Sequence, residues 1–360
     1  MSPLAVHVTG ARPNFPKAAP VIDAVARHDV AVRQRLVHTG QHYDERLSDV
    51  FFRQLGLPEP DVNLGVGSGT HAEQTAAVMV GLERLFLDER PDVVVVYGDV
   101  NSTVAAALVA AKLQIPLAHV EAGLRSFDPS MPEEVNRIVT DRLADLLFAT
   151  SADAVAHLGN EGVPAERIHL VGNPMIDTLL AHLGAFDVAA ARSRHDLSGQ
   201  YAVATLHRPA NVDDAADAEA LVKTLHAVAD QLTLVLPLHP RGRAGLEAAG
   251  LSEHPGIRVL EPLGYVEFLG LVRGSAVVVT DSGGVQEETT VLGVPCLTVR
   301  PNTERPVTIT HGTNRLVTRE DVPWQVEQVL AAGTTAHRVP PLWDGHAGER
   351  IAEVLVEAIA

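Results

Sequence analysis

The sequence predicts an α/β protein made of two Rossmann-like halves, each a parallel sheet covered on both faces. Three observations carry that prediction. Short β-branched runs alternate with Ala/Leu-rich segments of helical period along most of the chain. Runs such as 93–97 and 276–280 are apolar almost throughout, as strands buried on both faces are. The alternation lapses between residues 175 and 200, where a polar, irregular stretch covers 192–200, and then restarts.

In chain order, residues 4–8 read as a strand and 16–27 as a helix. A strand at 32–37, a helix at 43–55 and a long helix at 70–86 follow. Residues 93–97 form the most apolar strand, and 102–113 is an Ala-rich helix. After a strand at 117–120, a helix over 132–144 opens on Pro132, a residue favoured in a first turn. Strands at 146–150 and 168–171 close the first half. The second half runs strand 201–206, helix 215–229, strand 233–237, helix 243–249, strand 257–260 and helix 265–272. It continues with strand 276–280, helix 285–292 and strand 295–299, and helices near 322–331 and 347–359 end the chain. The expected domains are 1–175 and 176–344, with a C-terminal helix at 345–360 returning to the first. A chain of 360 residues, 46% hydrophobic, suits two domains of ordinary size.

Composition narrows the function. The net charge of −17 supplies no basic face for nucleic acid. An anionic ligand would therefore need a local positive pocket. No apolar stretch approaches the ~20 residues of a membrane span, and the N-terminus shows no signal-peptide pattern. The single cysteine, Cys296, allows neither an internal disulfide nor a cysteine-based zinc site. A cytoplasmic location is expected.

In open α/β sheets, ligands bind beyond the carboxyl ends of the strands. The residues expected there are Gly10-Ala11-Arg12, Gly98-Asp99 and Glu121-Ala122-Gly123 in the first half. In the second half they are His207-Arg208, His239 and Asp281-Ser282-Gly283-Gly284. Polar turn residues collect at strand ends by default, but this set carries histidines and carboxylates as well. Residues 281–288 follow a strand and open a helix, so Ser282, Gly283 and Gly284 can offer free N–H groups and a positive dipole end to a phosphate. Glu288, one turn further on, could accept ribose hydroxyls; the alternative is an ordinary strand-to-helix turn. Arg12, Lys17 and Arg305 are either phosphate ligands or solvated surface cations. Asp99, Glu121 and Glu133, with His207, could supply the acid and base for proton transfer at a sugar carbon. For Asp99 and Glu133 the competing reading is helix capping.

Metals and dinucleotides are not expected. His38 and His42 are four apart, but Gly40 lies between them, and no cysteine pair exists. The first strand lacks a Gly-x-Gly-x-x-Gly fingerprint. Gly65-Val66-Gly67-Ser68-Gly69 reads as a flexible loop, a hinge or lid, rather than a cofactor turn.

Taken together, these motifs resemble the non-hydrolysing UDP-N-acetylglucosamine 2-epimerases. The resemblance runs through Gly10-Ala11-Arg12-Pro13 with Lys17, Thr39-Gly40-Gln41-His42, Gly98-Asp99 and His119-Val120-Glu121-Ala122-Gly123-Leu124-Arg125. It continues through Pro132-Glu133-Glu134-Val135-Asn136-Arg137, Gly172-Asn173-Pro174, His207-Arg208, residues 281–288 and Thr303-Glu304-Arg305-Pro306. It implies a two-domain glycosyltransferase-B-like fold facing a cleft, a UDP-sugar substrate, no cofactor and a homodimer. It implies acid/base roles for Asp99, Glu121, Glu133 and His207. It implies UDP contacts from Arg12, Lys17, Arg137, Ser282, Gly283, Gly284, Glu288 and Arg305. The reaction implied is removal of the C2 proton with loss of UDP from C1, then re-addition to the glycal.

Gln41, His42, Arg208 and His239 match the region where many bacterial members bind substrate as an activator. The chain departs from the family there: Glu73 stands where arginine is usual, and Pro209-Ala210 replaces a more polar continuation. Pro13-Asn14-Phe15-Pro16 also differs from the commoner first loop. An oxidised or further acetamidated UDP-sugar is an alternative substrate, and a hydrolysing epimerase an alternative activity. A glycosyltransferase of the same architecture and a non-catalytic nucleotide-sugar sensor are more distant readings.

Overall fold

The computed structural model describes residues 2–40, 54–206, 215–238, 240–333 and 337–360. The chain forms two compact units, Met1–Ala181 with Pro341–Ala360, and His182–Pro340.

The first unit contains β1 (Leu4–Thr9), α1 (Phe15–Arg27), β2 (Arg33–His38), β3 (Val62–Asn63), α2 (His71–Glu89), β4 (Val93–Tyr97) and α3 (Asn101–Lys112). It continues with β5 (Leu117–Ala122), α4 (Pro132–Leu143), β6 (Leu146–Ala149), α5 (Ala152–Asn160), β7 (Ile168–Leu170) and α6 (Pro174–Ala181). The sheet order is β3-β2-β1-β4-β5-β6-β7. All its pairings are parallel. Every residue of β4 is fully buried, and each buried Val contributes roughly 1.5–3 kcal/mol. Strand order reverses between β1 and β4, so the loops after these two strands part and leave a crevice. Gly10–Arg12 and Gly98–Asp99 lie on those two loops.

The second unit contains α7 (Val188–Arg194), β8 (Tyr201–Thr205), α8 (Ala215–Ala229), β9 (Thr233–Pro237), α9 (Pro240–Ala248), β10 (Ile257–Leu260) and α10 (Tyr265–Gly274). It continues with β11 (Val277–Thr280), α11 (Gly283–Leu292), β12 (Cys296–Val299), α12 (Val307–Thr310), β13 (Asn314–Val317) and α13 (Val322–Ala332). The order β10-β9-β8-β11-β12-β13 is again parallel, with its reversal between β8 and β11. The turn at 281–284 leaves β11 at that reversal.

Several local expectations change. β3 and β13 are absent from the pattern read along the sequence. β3 is a two-residue edge strand and β13 is a four-residue edge strand that opens on Asn314 and Arg315, so neither shows a buried-strand signature. The Gly65–Gly69 segment therefore does follow a strand, and it is tied down: Gly67 N donates to Gly40 O at 2.9 Å and Gln74 Nε2 to Gly67 O at 3.1 Å. Part of the segment expected to be irregular is helical. Asp187 caps α7 through Ala190 N at 2.9 Å, and the Arg192 guanidinium lies 5.5 Å from the Tyr201 ring centroid. Glu73 closes a reciprocal capping box with Thr70 at the start of α2. That gives the acid a structural task at this position. The helix expected at 43–55 falls mostly outside the described residues.

The last helix, α14 (Ala347–Ile359), packs against α1 and α6 of the first unit. The strand of chain leading into it is anchored by buried Trp343, whose Nε1 donates to Thr150 O at 2.9 Å. It crosses directly over Gly172, which has φ +87° and where a Cβ would sit 2.0 Å from Leu342 O. Alanine at 172 therefore meets both a strained backbone and a backbone oxygen that cannot rotate away. Gly172→Ala is expected to lower stability by about 2–4 kcal/mol, read as a drop in denaturant midpoint. Limited proteolysis should cut the C-terminal segment first.

Asp177 on α6 receives the N-terminus of α14, accepting from Gly348 N at 2.7 Å. Burial raises its carboxyl from the ordinary 3.8 to about 6 despite these N–H donors. The folded state therefore binds a proton that the unfolded state releases, so stability falls as pH rises from about 4 through 6. Asp177→Asn is expected to remove that slope and to raise stability at pH 8 by on the order of 1–3 kcal/mol. Urea denaturation at pH 5 and pH 8 checks it; parallel curves for both proteins would overturn it.

Candidate active site

In the first unit, the candidate residues fall into two ion-paired groups at the ends of adjacent strands. Lys17, on the first turns of α1, is buried and its Nζ pairs with the Glu121 carboxylate at the end of β5. Arg137, on α4, is 1% exposed; it pairs with Asp99, just beyond β4, and with Glu134 at 2.6 Å. β4 and β5 are hydrogen-bonded neighbours, so the two carboxylates leave the sheet side by side.

Asp99 does not cap α3. The residue preceding the helix is Val100, without a side-chain cap, and the Asp99 carboxylate is turned to Arg137. Its backbone carbonyl accepts from Asn136 Nδ2 at 2.9 Å, which docks the first turns of α4 onto the β4 loop. Glu133 rides on that same first turn. It is exposed and makes no capping hydrogen bond among the described residues. Its neighbour Glu134 is buried and accepts from Ser126 N at 2.9 Å and Phe127 N at 3.0 Å.

Glu121 has φ +74°, a left-handed conformation that costs a residue with a side chain about 1–3 kcal/mol. The β5–β6 register shifts at this point. Strain of this kind persists where neighbouring contacts over-determine the backbone, and it gathers at functional sites.

Arg12 is exposed on the loop after β1. That loop is held by Asn14, whose Oδ1 accepts from Gly10 N at 3.0 Å and Ala11 N at 3.1 Å. Asn14 Nδ2 donates to Tyr97 O at 2.8 Å. Asn14, Glu134 and Asn136 all escaped the sequence reading. They stood inside motifs already quoted, but nothing in their spacing shows which side chain turns inward.

In the second unit, Ser282 immediately precedes α11, whose first residues are Gly283 and Gly284. Arg305 lies against this helix start: a Cβ on Gly283 would sit 2.5 Å from Arg305 Nη1. The guanidinium is held by Glu287, 2.8 Å from its Nε, and by Glu304 at 3.4 Å. Glu304 also pairs with Arg300 at 2.7 Å, and the arginines hold its carboxyl far below the ordinary range against the opposing effect of burial. Glu288 is buried; burial first, and the nearby Glu288 charge second, push the Tyr265 hydroxyl well above its usual range. Ser282, Gly283, Gly284 and Arg305 thus lie together at one helix N-terminus, and Glu288 sits in the middle of the same helix. Gln41, His42, His207, Arg208 and His239 lie outside the described residues.

Chemically, the first unit presents two carboxylates fixed by cations, and a third, Glu133, exposed on the first turn of α4. The second presents oriented N–H groups and a guanidinium suited to an anion. No helix among the described residues is long and apolar enough to cross a membrane.

The architecture is that of the glycosyltransferase-B-like α/β enzymes. The UDP-N-acetylglucosamine 2-epimerase family pattern matches residues 24–356. The UDP-N-acetylglucosamine 2-epimerase of Methanocaldococcus jannaschii is 40% identical over 360 residues, 97% of each chain. The UDP-2,3-diacetamido-2,3-dideoxy-D-glucuronate 2-epimerase of Pseudomonas aeruginosa is 41% identical over 356 residues, 97% of this chain and 98% of its own. The crystal structure of the M. jannaschii enzyme in complex with UDP-GlcNAc and UDP matches with a TM-score of 0.91 at 40% identity, covering 98% of this chain and 99% of that one. The chain belongs to the UDP-N-acetylglucosamine 2-epimerase family, a family of isomerases.

Proposed function

We propose that the chain is a non-hydrolysing epimerase that interconverts UDP-N-acetylglucosamine and UDP-N-acetylmannosamine. The observation that carries this reading is the pair of carboxylates, Asp99 and Glu121, each set by a buried cation at neighbouring strand ends. A base takes the proton from C2 while the C1–O bond to UDP breaks, leaving a 2-acetamidoglucal and UDP. UDP then re-adds at C1 and a proton returns to the opposite face of C2. Glu121, Asp99, Glu133 and His207 are the proton-transfer groups. The departing anion is held by the α11 N-terminus, Ser282, Gly283, Gly284 and Arg305, with Glu288 toward the ribose and Arg12 toward the phosphates. Lys17 and Arg137, which the family resemblance assigns to UDP, pair with Glu121 and Asp99 and also orient those carboxylates. Gln41, His42, Arg208 and His239 keep an activator role only through the family resemblance.

The test is proton NMR of UDP-N-acetylglucosamine with the protein in deuterated water. UDP-N-acetylmannosamine carrying deuterium at C2, with UDP still attached, supports the proposal. Free UDP and free sugar would identify a hydrolysing enzyme instead. The 41% identity to a diacetamido-glucuronate epimerase favours a second reading, an epimerase of that oxidised sugar class. It is the one to adopt if that sugar turns over and UDP-N-acetylglucosamine does not. The proposal includes a cytoplasmic homodimer, for which light scattering should return twice the mass of 38.3 kDa.

A further inference from the structure

Glu121 is strained, so something must hold it, and the contacts around it converge on one residue. Gly123, two residues on, also has positive φ, at +82°. The Asp141 carboxylate, buried on α4, reaches both sides of this turn. Its Oδ1 lies 2.6 Å from His119 Nδ1, two residues before Glu121. Its Oδ2 accepts from Gly123 N at 3.1 Å and from Arg125 Nη1 at 2.7 Å. His119 Nε2 lies 2.8 Å from Gly98 O. Both ring nitrogens of His119 thus face oxygen atoms, one on each side of the ring. Through that ring, Asp141 reaches the loop that carries Asp99. Arg125 is itself clamped by Glu161, with two contacts of 2.7 Å. Burial alone would raise the Asp141 carboxyl, but His119 and Arg125 outweigh it and hold the group below its ordinary range.

We propose that Asp141 is a positioning residue: by bracketing residues 119, 123 and 125 it locks Glu121 in the left-handed conformation that presents its carboxylate. The inference rests on the reading of Glu121 as a group that works on the substrate. A Cβ-bearing residue released from these contacts relaxes toward negative φ, which swings the carboxylate away from Lys17.

The experiment is a double-mutant cycle of Asp141→Asn and Glu121→Gln in the full chain. Asp141→Asn alone should lower kcat by about 10–100-fold with KM little changed. In the Glu121→Gln background it should cost nothing further, because the group it positions is already gone. A merely structural role predicts losses that multiply, and that outcome overturns the inference while leaving the role of Glu121 intact. Full turnover by Glu121→Gln alone would overturn the proposed role of Glu121 and the inference with it. If Asp141→Asn does not fold, His119→Gln enters the same cycle, since it breaks the link to Asp141 and keeps a donor near Gly98 O.

Discussion

Replacing Glu121 by glutamine is expected to lower kcat by roughly 10²–10⁴-fold, the range of a lost general acid or base. The amide has almost the same shape but cannot take the C2 proton. Wash-in of solvent deuterium at C2 should fall in step with turnover. UDP affinity should stay close to that of the parent protein, because Glu121 is assigned to proton transfer and not to the nucleotide. The substitution also leaves the Lys17 ammonium facing an amide in a buried site, so the melting temperature should drop. Activity is therefore compared at a temperature where circular dichroism reports a folded protein. Unchanged exchange at C2 would remove Glu121 from the chemistry.

The second large effect is expected at Gly283. An alanine there places its methyl 2.5 Å from Arg305 Nη1 and 2.8 Å from Arg305 Cζ. The guanidinium cannot yield cheaply, because Glu287 and Glu304 hold it from other sides. It is displaced from the helix N-terminus, and the anion site loses a charge-assisted donor. Such a bond contributes about 1.5–3 kcal/mol, so KM for the UDP-sugar should rise about 10–100-fold. Titration calorimetry with UDP alone should show the same weakening. A normal UDP affinity would mean that this turn does not bind the nucleotide.

Much of this site was legible before any coordinates. Val93–Tyr97 is apolar throughout, so it had to be a central strand, and Gly98 and Asp99 had to follow it at a carboxyl end. The same logic placed Glu121 after β5 and the Asp-Ser-Gly-Gly turn at 281–284 after β11. Those placements need only strand periodicity and the rule that parallel sheets bind ligands at one edge. The family resemblance added which of these residues to group together.

The partners were not legible. Lys17 and Arg137 pair with Glu121 and Asp99, partners 104 and 38 residues away in sequence. Glu133 and Glu134 are adjacent and chemically identical, but only Glu134 is buried, because helix geometry turns successive side chains about 100° apart. The strain at Glu121 and the clamp by Asp141 leave no local signature at all. Periodicity and turn chemistry act within a few residues and therefore follow from the order of amino acids. Which carboxylate meets which cation depends on distant elements docking on one sheet, and packing alone makes that choice.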